Sequence, residues 1–252
     1  MDGNRLRVCA ANRLAPCVAL LAAVACSNRQ QATVAIAAVP AIIFEESEAI
    51  AYFSGSAAID ALINDGPCSF AAIDTSSNAV ANSAFVSAGA ITIRGTAGQP
   101  LVLQPTGSDY YSGSEGVYIF QAGDAVSFSA AGAQVPAFAT TATAPARAAS
   151  ADLGITNGSI SRAGDLQISW APVSGADQFR VLWLGSPGVL DCEFDPTAGT
   201  GVIPASAIQN FPSGTLVTLV PGTVNHTQAV AGDWSVDVVV AQAVTYASAT
   251  VQ

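Results

Sequence analysis

The chain has 252 residues, eight arginines, no lysine and 18 acidic residues, for a net charge of −10. An acidic chain without a basic cluster repels phosphate backbones, which excludes nucleic acid as a partner, and the absence of lysine excludes Schiff-base and Lys–Asn isopeptide chemistry. Charged residues make up 10% of the chain, against about 25% in ordinary globular domains, so Ser, Thr, Asn and Gln must supply much of the surface, a mixture suited to strands and turns.

The first segment is an address. Arg5, Arg7 and Arg13 precede the apolar run Leu14–Ala25, which ends at Cys26. A basic start, a short apolar middle and a small-residue exit describe a secretory signal peptide, and the run is shorter than the roughly 20 apolar residues that span a bilayer as a helix. Ala23-Val24-Ala25 fits ordinary cleavage, while Leu21-Ala22-Ala23-Val24-Ala25-Cys26 resembles a bacterial lipobox. Both readings cut before Cys26 and differ in whether that cysteine gains acyl chains. We expect a signal peptide at 1–25 and lipid attachment at Cys26. Ser27 resembles the outer-membrane rather than the inner-membrane sorting signal. Losing Asp2, Arg5, Arg7 and Arg13 with the leader leaves five arginines against 17 acids, a net −12.

Positions 26–33 read as a tether, and the apolar stretch from Val34 to Phe44 as a first strand or a short docking helix. From Ala49 onward, short apolar runs alternate with Gly, Ser, Asn and Asp clusters, the texture of an all-β domain. The expected strands are Ala49–Phe53, Cys68–Ile73, Ala90–Arg94, Leu101–Gln104, Val117–Gln121, Ala125–Ser129 and Pro136–Thr143. Gly107–Gly116 reads as a polar loop, and 145–151 as a linker. Beyond it, Asn157-Gly158 predicts a type I′ turn. Strands are then expected at Asp165–Trp170, Gln178–Leu184, Val189–Asp195, Thr215–Val220, Asn225–Val230, Trp234–Ala241 and Val244–Val251, with one helical turn at Pro204–Phe211.

Asp165-Leu166-Gln167-Ile168-Ser169-Trp170-Ala171-Pro172-Val173, followed by Gly175-Ala176-Asp177-Gln178-Phe179-Arg180-Val181, resembles strands B and C of a fibronectin type III or immunoglobulin-like domain. That resemblance implies a sandwich with Trp170 in its core. The chain from Cys26 on also resembles a group of uncharacterised bacterial lipoproteins, through Ala122-Gly123-Asp124, Val135–Phe138, Cys192-Glu193-Phe194, Gly201–Ala205 and Ala231–Trp234. The expected architecture is therefore all-β: two β-sandwich domains, immunoglobulin or fibronectin III-like, at 34–144 and 152–252 after the cleaved leader.

Few residues offer chemistry. The single histidine, His226, lies in a polar stretch, and no serine has the G-x-S-x-G context of a nucleophile elbow. Asp191, Glu193 and Asp195 alternate along one expected strand, so all three project from one face. They are weak metal candidates, because Ca²⁺ takes six to eight oxygens and the Asp-x-Asp-x-Asp-Gly loop is missing. The expectation is that Leu190, Cys192 and Phe194 face the core and the acids face water. Tyr110 and Tyr111 on the polar loop, and Trp183 in an apolar run, are the candidates for contact with a ligand or partner. Cys68 and Cys192 each share a face with apolar residues, Phe70 in one case and Leu190 and Phe194 in the other. With each assigned to its own core, two free thiols are expected.

The sequence thus points to an exported, lipid-anchored surface protein of the cell envelope with a non-catalytic binding or structural role. It needs no cofactor, and its partners would be the membrane and a glycan or protein ligand. A carboxylate-dependent hydrolase acting on polysaccharide and a subunit of a surface assembly are the competing readings.

Overall fold

Period-2 alternation dominates the structure, because side chains on successive strand residues point to opposite faces. The computed structural model describes residues 30–40, 45–54, 62–72, 86–105, 111–115 and 119–252. In chain order the first strands are β1 (Gln30–Pro40), β2 (Glu45–Ser54), β3 (Leu62–Asp65), β4 (Cys68–Ala72), β5 (Ile91–Arg94), β6 (Leu101–Leu103), β7 (Tyr111–Glu115), β8 (Ala125–Ala130) and β9 (Phe138–Thr143). Then come β10 (Ala151–Asp152), β11 (Ser159–Ile160), β12 (Leu166–Trp170), β13 (Gln178–Gly185), β14 (Gly188–Phe194) and β15 (Thr200–Ile203). The short helix α1 (Ala205–Ile208) precedes β16 (Leu216–Ala231), β17 (Trp234–Ala243) and β18 (Ala247–Val251).

One large sheet runs β3-β4-β14-β13-β16-β17-β1-β2-β7, with β18 joining β16 and β11 joining β18. Two smaller sheets, β6-β5-β8-β9 and β10-β12-β15, complete the described fold. One core gathers Ile91, Ile93, Phe128 and Val126 of the four-stranded sheet with Trp234, Val236, Val238 and Val240 of β17 and Ala229 of β16. The other gathers Ile168 and Trp170 of β12 with Phe179, Val181 and Trp183 of β13, Leu190 and Cys192 of β14, and Val217 and Leu219 of β16. The 16-residue β16 therefore serves both cores, Val217 and Leu219 at one end and Ala229 and Ala231 at the other.

This differs from two sandwiches joined by a linker. β4, from before residue 145, pairs with β14, and β1 pairs in parallel with β17. Phe70 of β4 packs edge-on against Phe211 at 5.4 Å, inside the core assigned to the second half. Gly188 makes the approach of β4 and β14 feasible, since a Cβ there would lie 2.3 Å from the Ala71 carbonyl oxygen. Residues 145–151 are stitched down rather than free. Ala146 N–H donates to the Gly175 carbonyl, Thr223 Oγ1 to the Ala146 carbonyl and Arg147 Nη2 to the Val244 carbonyl, and Ala148 is buried.

Other elements also depart from expectation. Residues 30–33, expected in the tether, belong to β1, and Tyr111–Glu115 form β7 instead of a loop. Ile119 and Phe120 are buried but lie in no strand. The two strands expected at 215–230 are one, because β16 runs straight through Pro221-Gly222. Proline is tolerated there because β16 changes neighbours at that point. It leaves β18 at the Leu219–Ala247 pair and joins β17 at Gly222–Ala243, so the missing N–H falls between two ladders. The Asn157-Gly158 turn forms as expected, with both residues at positive φ.

Candidate functional site

The face of the large sheet turned away from the two cores carries the densest polar chemistry among the described residues. Arg180 on β13 stands directly across from Glu193 on β14, with Asp191, the partner of Leu182, two register positions along on the same face. Its guanidinium pairs with Asp191 through Nη2, donates from Nε to Asp191 Oδ1 at 3.1 Å, and reaches Glu193 Oε1 at 3.3 Å. Gln178 Nε2 donates to Glu193 Oε2 at 2.9 Å, and its Oε1 meets His226 Nε2 at 3.2 Å. His226 Nδ1 lies 3.6 Å from Asp237 Oδ2 on β17. The result is a polar ladder over four neighbouring strands, from Asp191 through Arg180, Glu193, Gln178 and His226 to Asp237.

Its surroundings are apolar. Leu182, Val220, Val224 and Val239 lie buried on the same face. Arg180 itself is 2% exposed, and burial lowers its proton affinity, an effect opposed by the nearby charges of Glu193 and then Asp237. Its Nη1 is buried without a hydrogen-bond partner. The ladder brings together two of the three predicted carboxylates and corrects the expectation that they face water, because Asp191 is only 7% exposed. Asp195 lies just past the end of β14 and caps a turn, accepting from Thr197 N–H and Thr197 Oγ1 at 2.8 and 2.7 Å. Both bonds favour the charged carboxylate and hold its pKa below the usual value, the hydroxyl contributing more. Among the described residues no three metal-ligating side chains cluster.

Trp183, a candidate contact residue, is fully buried and stacks on Phe211 at 6.0 Å, so it presents no surface to a partner. Tyr111 falls in β7, while Tyr110 and Cys26 lie outside the described residues.

A second constellation overturns a sequence expectation. Cys68 and Cys192 are directly opposed on β4 and β14, with Cα atoms 4.0 Å apart, and they form a disulfide. Both alternation arguments placed the thiols in a core correctly; the error lay in assigning them to separate cores. Sequence pattern also missed Arg180, although an arginine inside Phe179-Arg180-Val181-Leu182-Trp183-Leu184 was a signal that a buried acid must answer it.

No family model matches the chain, and no curated protein matches it. Among solved structures, the FN1–FN3 domains of chicken CNTN1 align at 6% identity and a TM-score of 0.28, covering 83% of this chain and 76% of that one. A Ca²⁺-stabilised, ice-binding adhesin of an Antarctic bacterium aligns at 12% identity and a TM-score of 0.22, covering 89% of this chain. This chain spans half the length of that adhesin, 50% of it being covered. At these TM-scores neither likeness bears on what this chain does.

Proposed function

We propose that this is an exported surface protein of the cell envelope, held to the outer membrane or cell surface by acyl chains on Cys26, with a non-catalytic binding or structural role. The observation that carries the export reading is the Cys68–Cys192 disulfide, which joins strands 124 positions apart in the chain. Disulfides form and persist in oxidising compartments and are rare in the cytosol. The bond thus agrees with the leader at 1–25, on evidence independent of it.

The polar ladder supports a structural rather than a catalytic role. Gln178 bonds both Glu193 and His226, and Arg180 pairs with Asp191 and Glu193, so the single histidine is occupied by Gln178 and Asp237. Several acyl chains on one cysteine anchor stably, since each buried CH₂ contributes about 0.8 kcal/mol and one chain alone is marginal. A glycan or protein is the proposed ligand class. Fractionation tests the reading: protein with native Cys26 should partition with membranes and Cys26→Ser should be released to the soluble fraction. Equal partitioning of the two would overturn the anchor.

A further inference from the structure

We propose that the molecule stands on the bilayer in one fixed polarity. The β16–β17 turn at Gly232-Asp233 faces the lipid headgroups, and the opposite pole, formed by the Gly185–Gly188 turn and Pro212–Leu216, points outward. The proposal rests on the reading that Cys26 is acylated, and it deepens that reading by naming the surface that meets the membrane.

Three observations carry it. First, β1 enters the large sheet at its very start: Gln30 pairs with Trp234, and β1 runs parallel to β17 from there. Second, only four peptide steps separate Cys26 from Gln30, a reach of at most about 14 Å at 3.3–3.6 Å per residue. An acylated Cys26 must lie in the headgroup layer, so the Trp234 end of the sheet is held beside it. Third, β16 has 16 residues, which at about 3.3 Å per residue extend about 50 Å. The Leu216 end therefore cannot reach the surface that the Ala231 end occupies unless the whole body lies flat.

The chemistry of the inner pole fits a headgroup contact. Gly232 and Asp233 are exposed, and Val230, two residues before the turn, is 62% exposed. Pro136 approaches Gly232, at 3.2 Å from where a Cβ would stand there. The segment Ala131-Gly132-Ala133-Gln134-Val135-Pro136-Ala137 around it bears no charge, with Ala133, Gln134, Pro136 and Ala137 exposed. Asp233 is the one charged residue of the turn and of this segment, and the short connection to Cys26, not a difference in charge between the two ends, selects this pole. The outer pole exposes Ser186, Pro212, Ser213, Gly214 and Leu216, the last at 66%. Those residues are then the ones presented away from the membrane.

The disulfide and the acylated Cys26 leave a newly introduced cysteine as the reactive thiol for labelling. Acylated full-length mature protein carrying Asp233→Cys or Ser213→Cys, labelled with a fluorophore, would be reconstituted into phosphatidylethanolamine–phosphatidylglycerol vesicles containing nitroxide-headgroup lipid. Quenching at position 233 should exceed that at 213 several-fold, and Pro136→Cys against Ser186→Cys should repeat the order. Equal or reversed quenching in protein that floats with the vesicles would overturn the polarity alone. Protein that lacks acyl mass and does not float would overturn the anchor, and the polarity with it.

Discussion

Cys68 and Cys192 face each other across the β4–β14 ladder, each buried, and their bond fastens the β3–β4 hairpin to β14, a strand from the second half of the chain. Closing a loop of this length stabilises a fold by roughly 2–5 kcal/mol, chiefly by restricting the unfolded chain. The double variant Cys68→Ala/Cys192→Ala should therefore lose about that much in denaturant unfolding, and denatured, non-reduced wild type should show no free thiol at either position. Two reactive thiols after denaturation without reductant would contradict the bond.

Arg180 and Asp191 make a different prediction. Removing one partner of a buried pair leaves an uncompensated charge and costs about 3–5 kcal/mol, whereas replacing both with apolar groups is often neutral or stabilising. Arg180→Met should lower the urea midpoint sharply, and Arg180→Met/Asp191→Leu should recover most of the loss. A double variant as unstable as the single would show that Glu193 and Asp237, not Asp191, set the need for the cation.

Asp195 supplies a pH prediction. Thr197 holds its carboxyl below the usual range, so its contribution to stability is present above the unfolded carboxylate value and fades as pH falls through the folded one. Thr197→Val removes the hydroxyl and keeps the backbone donor. Carboxyl titration by NMR should show the Asp195 value rising toward the ordinary one, and an unmoved titration would contradict the assignment.

Trp170 stacks on Phe179 at 4.1 Å and its Nε1 donates to the buried Pro196 carbonyl at 3.0 Å. Truncating such a side chain costs about 3–5 kcal/mol, and Trp170→Ala should unfold or severely destabilise the chain. The isolated fragment 152–252 should be markedly less stable than the same residues in the full chain, because Phe70 and Cys68 complete its core. A fragment as stable as the whole would mean that β4 is dispensable.

Much of the strand content was legible because alternation is local. Ile91-Thr92-Ile93-Arg94 and Leu101-Val102-Leu103 place their alternate apolar residues inside, as their spacing says. Illegible features were of two kinds. Short edge pieces such as β3, β10 and β15, of two to four residues, are too brief for a periodic signal. Long-range pairings, β4 with β14 and β1 with β17, leave no mark within either segment. The polar ladder fell between these. Asp191 and Glu193 shared a face in the sequence, but their answering Arg180 sat on the neighbouring strand, so a buried ion pair read as a solvated acid row.

The most direct measurement is the intact mass of non-reduced protein taken from the membrane fraction. The account predicts a species beginning at Cys26, heavier than the bare polypeptide by its acyl groups and lighter by the hydrogens of one disulfide. A mass equal to the bare, fully reduced chain, with or without residues 1–25, would contradict it.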